Sequence, residues 1–295
     1  LLQLEKVMTA GNYAARSLVA YAREIRFFAE YHADLSPNDW TEQHVLDYLF
    51  YLKKTLQASH AKHKMVAQSI AFYFRHVLRR PFDTPSKMYP RKEFKLPCVL
   101  SQEEIKQLLE NCSSLKQRAL IELFYSSGIR LEELQHLKLT DIEASENRIR
   151  VNHGKGRKQR YTILSKQCLQ TLRTYYRREE VKPEVYLFEG QTPGKPMNSR
   201  SIQHAIRMVY EKAGLSHKER KVHALRHSFA THSLDSGMDI LAIKELLGHS
   251  KIETTMVYLH LQSHKRNLLV SPLDVLHLPK NEIAVLDKNV GLLNA

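Results

Sequence analysis

Between residue 14 and about residue 78, apolar side chains recur at helical spacing: Leu18, Tyr21, Ile25 and Phe28, then Val45, Leu49 and Leu52, then Ile70, Phe74 and Val77. The spacing predicts packed helices, and Thr41 stands where the second would take its N-cap. The pattern breaks over 81–97, where Pro81, Pro85, Pro90 and Pro97 interrupt any helix. It resumes at Ser101-Gln102-Glu103-Glu104, where Ser101 and Glu104 have the spacing of a capping box. At 148–164 the period shortens to two. There Arg-Ile-Arg-Val and Tyr-Thr-Ile-Leu alternate around His153-Gly154-Lys155-Gly156, a β-hairpin pattern with glycines at the turn. The expected fold is mainly α. It has an all-α helical module over 1–80, a proline-rich linker over 81–97, and over 98–262 a mostly α domain with a small antiparallel β-sheet. The tail, 263–295, has no clear periodicity.

Charge changes this picture. The 295 residues carry 45 Lys+Arg against 31 Asp+Glu, a formal charge of +14, which points to a polyanionic partner. Residues 147–182 hold eleven Lys/Arg against Glu179 and Glu180. Arg16, Arg23, Arg26, Lys62, Lys64 and Arg75 project from the N-terminal helices, and Arg157 and Lys158 flank the hairpin turn. The linker adds Lys87, Arg91, Lys92 and Lys95. At full extension its residues span on the order of 55 Å, enough to pass around a DNA duplex and leave a domain on each side. These basic groups make the first module a candidate DNA-binding domain. Cys98, Cys112 and Cys168 show no paired spacing, so a reducing compartment, the cytoplasm, is expected. No apolar run approaches a membrane span and the start has no signal pattern, so no membrane partner is expected.

The candidate chemistry lies near the C-terminus. In His223-Ala-Leu-Arg226-His227, the residues at i, i+3 and i+4 share one helix face, and an arginine flanked by imidazoles suits a phosphate. His223 and His227 also have the spacing of a zinc pair, but no glutamate follows the first histidine and no third ligand is evident, so no metal is expected. A helix over 239–247 stops at Gly248, and Ser250 with Glu253 predicts a capping box for the next one. His249 falls in the joint between them. Tyr258 falls two turns into the second helix, able to reach the same place.

These motifs resemble the tyrosine recombinase (phage integrase) family, in its Xer and integron-integrase-like branch, over nearly the whole chain. Ser127-Gly128-Ile129-Arg130-Leu131-Glu132-Glu133-Leu134 resembles the family's first arginine motif, and Gly154-Lys155-Gly156-Arg157-Lys158 its catalytic-lysine hairpin. His223-x-x-Arg226-His227, Leu247-Gly248-His249 and Thr254-Thr255-x-x-Tyr258 resemble the next three, and Ser271-Pro272-Leu273-Asp274 a tail motif of the branch. The resemblance implies that Arg130 and Arg226 bind the scissile phosphate, Lys155 protonates the leaving 5′ oxygen, and Tyr258 is the nucleophile. It further implies proton transfer at the tyrosine by His223, a phosphate hydrogen bond from His249, and structural support from Glu133. The implied partners are double-stranded DNA with paired core sites and three further copies of the chain, a homotetramer in which 263–295 docks on a neighbour. The implied location is the nucleoid.

The sequence departs from the pattern at Leu259-His260, where many members have Thr-His, and it lacks the extra segment that integron integrases carry before the HxxR helix. The chemistry needs no cofactor, because two arginines and a histidine supply the positive charge that a metal would otherwise bring. A type IB topoisomerase uses similar chemistry, and a non-catalytic DNA-binding protein would have no use for Tyr258 beside Arg130, Lys155 and Arg226.

Overall fold

The first apolar run builds helix α2 (Ala15–Tyr31), which packs its Ile25–Phe28 stripe against α4 (His60–His76), while α1 (Leu2–Ala10) and α3 (Glu42–Lys54) close the remaining sides. The computed structural model describes residues 1–82, 96–152, 159–219 and 221–261. Linker residues 83–95, the hairpin turn with Lys155, Arg157 and Lys158, and the tail from 262 lie outside those residues. The chain forms two compact units, Leu1–Lys95 and Leu96–Ala295.

In the first unit Leu4, Met8, Phe28, Trp40, Val45, Ile70 and Phe74 form the core, with Phe28 and Trp40 edge to face at 4.8 Å between ring centres. Thr41 caps α3 as its position suggests. It accepts the His44 backbone N–H, and His44 Nδ1 in turn accepts that of Thr41, so a histidine takes the place usual for glutamate. Glu24 is fully buried and paired with Arg23 at 2.9 Å and with Lys62. A buried carboxylate is tolerated only when paired; Arg23 pairs with it within α2, and Lys62, on α4, ties the two helices together.

The second unit is built around α6 (Leu115–Ser127), whose Ala119, Leu120, Ile121, Leu123 and Phe124 are all buried beneath α8 (Lys166–Arg178), α9 (Ser199–Lys212) and α10 (Lys221–Asp235). Helix α5 (Gln102–Glu110) opens this unit with the expected capping box of Ser101 and Glu104. The short helix α7 (Leu131–Gln135) follows α6. Strands β1 (Ile142–Glu143), β2 (Arg148–Val151) and β3 (Arg160–Ile163) form one antiparallel sheet in that order, with Ile149 opposite Thr162 and Val151 opposite Arg160. The fold class expected from the pattern, mainly α with one small antiparallel sheet, is the one observed.

Nine of the fifteen residues of α10 are buried, because it lies between two clusters. Val222, Ala224 and Leu225 enter the main core, while Phe229, Ala230 and Leu234 join Ile243, Leu247 and Tyr258 in a second one. A helix buried on most sides is a rigid base for polar side chains. After α11 (Ile240–Leu247) the structure departs from the expected pattern. Helix α12 (Glu253–Met256) has Ile252 at its N-cap with no side-chain cap, so Ser250 and Glu253 do not form a capping box. Tyr258 therefore lies in a 3-10 turn over Val257–Leu261 instead of two turns into an α-helix.

Candidate active site

Two glycine corners organise the site. Helix α6 ends at Gly128 and α11 at Gly248, both left-handed with φ of +60° and +64°. Space enforces the same choice. A Cβ at 128 would fall 2.5 Å from the Phe229 ring and 2.7 Å from Leu247, and one at 248 would fall 2.8 Å from Arg160 Cδ. The turns present carbonyl oxygens to two guanidinium groups. Arg226 donates to Gly128 O from Nη1 and to Leu247 O from Nη2 at 2.8 Å, and Arg130 Nη2 donates to Gly248 O at 2.9 Å.

Arg226 is only 5 % exposed. Burial and the neighbouring Arg130 charge push its pKa down to about 9, which still leaves it charged at neutral pH. Glu133, on α7, is the counter-charge. Its carboxylate accepts Arg130 Nη1 at 2.8 Å and both terminal nitrogens of Arg160 at 2.7 Å, a bidentate fork reaching from β3. Burial by itself would raise the Glu133 pKa, but the Arg160 hydrogen bonds and charge, joined by those of Arg130, bring it down to about 2. Arg160 also donates from Nε to Leu246 O at 2.9 Å, so one side chain ties the sheet, α7 and the end of α11 together.

His249, just past the second corner, lies with Nε2 3.0 Å from Arg226 Nη2 and Nδ1 2.9 Å from Thr255 Oγ1. Burial, and then the charges of Arg226, Arg130 and Arg160, lower its pKa to about 3, so the ring is neutral at physiological pH. Because a guanidinium only donates, Nε2 is the acceptor here and Nδ1–H donates to Thr255. Tyr258 is 3 % exposed, and its hydroxyl meets His227 Nδ1 at 2.9 Å. Burial raises its pKa, and the charges of Arg226 and Arg130 pull it the other way.

A buried tyrosine hydroxyl beside two converging guanidinium groups and a neutral imidazole suits attack on a phosphodiester, because the cations lie where negative charge develops. A model of the phage integrase family matches residues 98–265, and one of that family's N-terminal SAM-like domain matches residues 1–84. This chain belongs to the phage integrase family, the tyrosine recombinases. The recombinase is 32% identical to tyrosine recombinase XerD of Rickettsia conorii over 92% of its own length and 97% of that protein. It is 31% identical to the putative integrase/recombinase y4qK of Sinorhizobium fredii, over 94% of its length and 89% of the relative's. Among solved structures it resembles XerH site-specific recombinase bound to difH substrate in a pre-cleavage complex, with 25% identity, coverage of 90% of this chain and 81% of that one, and a TM-score of 0.70.

Of the residues singled out in the sequence, the recombinase brings Arg130, Arg226, His249 and Tyr258 together. His223 lies one turn before His227 on α10, exposed, with its ring centre 6.4 Å from that of His227. Lys155, Arg157 and Lys158 fall outside the described residues. In the first unit Arg16, Arg23 and Arg26 are exposed along α2 and Lys64 and Arg75 along α4. Arg75 donates to Phe82 O at 3.0 Å, and Lys62 is half-buried against Glu24.

Sequence reasoning missed the part played by Arg160, which it counted only as one basic residue among eleven. Strand parity could have found it, since Arg160 shares a face with the buried Thr162 and lies opposite the buried Val151. It also noted that His227 shares a helix face with Arg226, yet left it out of the site.

Proposed function

We propose that this chain is a site-specific recombinase that cuts double-stranded DNA at paired core sites through a 3′-phosphotyrosine on Tyr258 and rejoins the strands with new partners. The observation that carries the reading is the convergence of Arg130, Arg226 and His249 beside the Tyr258 hydroxyl. Arg130 and Arg226 bind the non-bridging oxygens of the scissile phosphate and stabilise the charge that grows on them during attack. Glu133, pinned by Arg160, holds Arg130 in place. Lys155 protonates the departing 5′ oxygen. His223, exposed on α10 with its ring centre 6.4 Å from that of His227, takes part in proton transfer at the tyrosine.

His249 adds a hydrogen bond to the phosphate. Thr255 Oγ1 can accept or donate, so when a phosphate oxygen replaces the Arg226 donor at Nε2 the ring can switch tautomer. Thr255 then donates to Nδ1 and Nε2–H donates to the phosphate. The phosphotyrosine keeps the energy of the broken diester, so rejoining requires no nucleotide hydrolysis and the step uses no cofactor. Arg16, Arg23, Arg26, Lys62, Lys64, Arg75, Arg157 and Lys158 contact the backbone of the duplex. Four protomers form the synaptic assembly, with 263–295 docking on a neighbour, and the protein works on the nucleoid in the cytoplasm.

The direct test is incubation with a nicked duplex that traps the cleaved strand. The wild-type protein should form a covalent 3′ adduct, and Tyr258→Phe should bind the duplex without forming one. An adduct on the Phe variant would refute the assignment of the nucleophile.

A further inference from the structure

Among the described residues, the hydrogen-bond partner of the buried Tyr258 hydroxyl is His227 Nδ1, at 2.9 Å, with the two ring centres 5.8 Å apart. A buried phenol O–H is nearly always paired, and Nδ1 is the acceptor it faces, which assigns the neutral ring its Nε2–H tautomer. His227 follows Arg226 directly on α10, so the helix turn that delivers the phosphate-binding guanidinium also delivers this imidazole. Resting on the reading of Tyr258 as nucleophile, we propose that His227 is a catalytic residue that takes the Tyr258 proton during attack and returns it on rejoining.

The step balances. As Tyr258 Oη bonds to phosphorus, its proton passes to His227 Nδ1, the bond from phosphorus to the 5′ oxygen breaks, and that oxygen takes a proton from a separate donor, Lys155 in the reading above. On rejoining, a 5′ hydroxyl attacks and returns its proton to the donor that supplied it, Lys155 in the reading above, the bond from phosphorus to Oη breaks, and Nδ1–H protonates the departing phenolate. Groups that face the imidazole include His223 on its own helix, the Tyr258 hydroxyl and His249 after α11, with Arg226 adjoining it in the chain. An anionic phosphate held by Arg226, the next residue back on α10, stabilises the imidazolium as it forms. Proton transfer therefore becomes favourable when DNA is in the site, which ties activation of the nucleophile to substrate.

His227→Asn keeps an acceptor near the position of Nδ1 but cannot carry a proton. It should bind a half-site within about twofold of wild type and form the covalent adduct about 10²–10⁴-fold more slowly in single turnover. Placing a fluorinated tyrosine, a more acidic phenol, at position 258 should recover part of that rate in His227→Asn but not in Lys155→Ala, where the lesion is at the leaving group. A substrate with sulfur at the bridging 5′ position should do the reverse. Cleavage by His227→Asn at near the wild-type rate, or a defect that the fluorinated tyrosine leaves untouched, would overturn the proposal. An adduct formed by Tyr258→Phe would instead refute the nucleophile, so the two failures are distinct. The hydrogen bond can also be read with His227 intact. Tyr258→Phe in the full chain should shift one imidazole Nδ1 resonance in nitrogen NMR spectra, and no shift would count against the proposal.

Discussion

Each guanidinium in the site is held by groups that only an arginine can engage together. Arg226 satisfies two carbonyls and faces His249 from one planar fork, and a lysine ammonium has neither the reach nor the geometry to replace it. Arg226→Lys should slow adduct formation by about 10²–10³-fold, while half-site binding, which spreads over many phosphates, changes little. A single-turnover assay beside a binding titration would check the split, and equal losses in both would contradict it. The same residues make pH predictions with opposite protonation chemistry. His249 titrates near 3 in the folded chain, against 6.5 ordinarily, so the unfolded chain takes up its proton first and stability falls as pH drops from about 6.5 toward 3. Glu133 titrates near 2 against 4.5, so its contribution is complete above about 4.5 and is lost toward pH 2. Thermal melts should therefore show His249→Gln losing less stability than wild type between about pH 6.5 and 4.5. Glu133→Gln should differ from wild type most near neutrality and converge with it only below about pH 4.5.

At the scale of elements, the site depends on where helices stop. Gly128 and Gly248 end α6 and α11 so that their carbonyls face Arg226 and Arg130. Gly248→Ala adds a strained φ and a Cβ pressed against Arg160. It should cost about 1–3 kcal/mol and slow cleavage as well, because Gly248 O anchors Arg130. Calorimetry and the adduct assay together would test this, and a variant that melts earlier yet cleaves normally would show that the corner matters for folding alone. The stop at Gly248 was legible in the sequence, as were the caps at Thr41 and Ser101, because caps and left-handed glycines are local chemistry. The start of α12 was not. Ser250 and Glu253 have the right spacing, but Ile252 takes the N-cap and Thr255 pairs its hydroxyl with His249, so the spacing of the box alone did not place the helix start.

At the scale of the molecule, both units carry exposed basic side chains, and the formal charge of +14 predicts binding that weakens steeply with salt. The logarithm of affinity should fall by about 0.9 per neutralised phosphate against the logarithm of salt concentration. A fragment beginning at Leu96 should show a clearly shallower slope than the full chain. Equal slopes would mean that the N-terminal helices contribute no phosphate contacts. Their contribution is moderated by Glu24, which engages Arg23 and Lys62 inside the first unit. Removing that carboxylate should therefore weaken folding before it strengthens DNA binding.

By itself the sequence determined the helical periods, the hairpin, the glycine stop at 248, the charge, and the order of Arg130, Arg226, His249 and Tyr258 along the chain. All of these follow from residue type and spacing, which act over a turn or two. Only the tertiary structure decided which imidazole meets the tyrosine and which arginine neutralises Glu133. Those pairings join residues 31 and 27 positions apart in the chain. They form because α10 is buried between two cores and β3 turns Arg160 inward; strand parity marks the side Arg160 faces, but no local pattern names the partner of either residue.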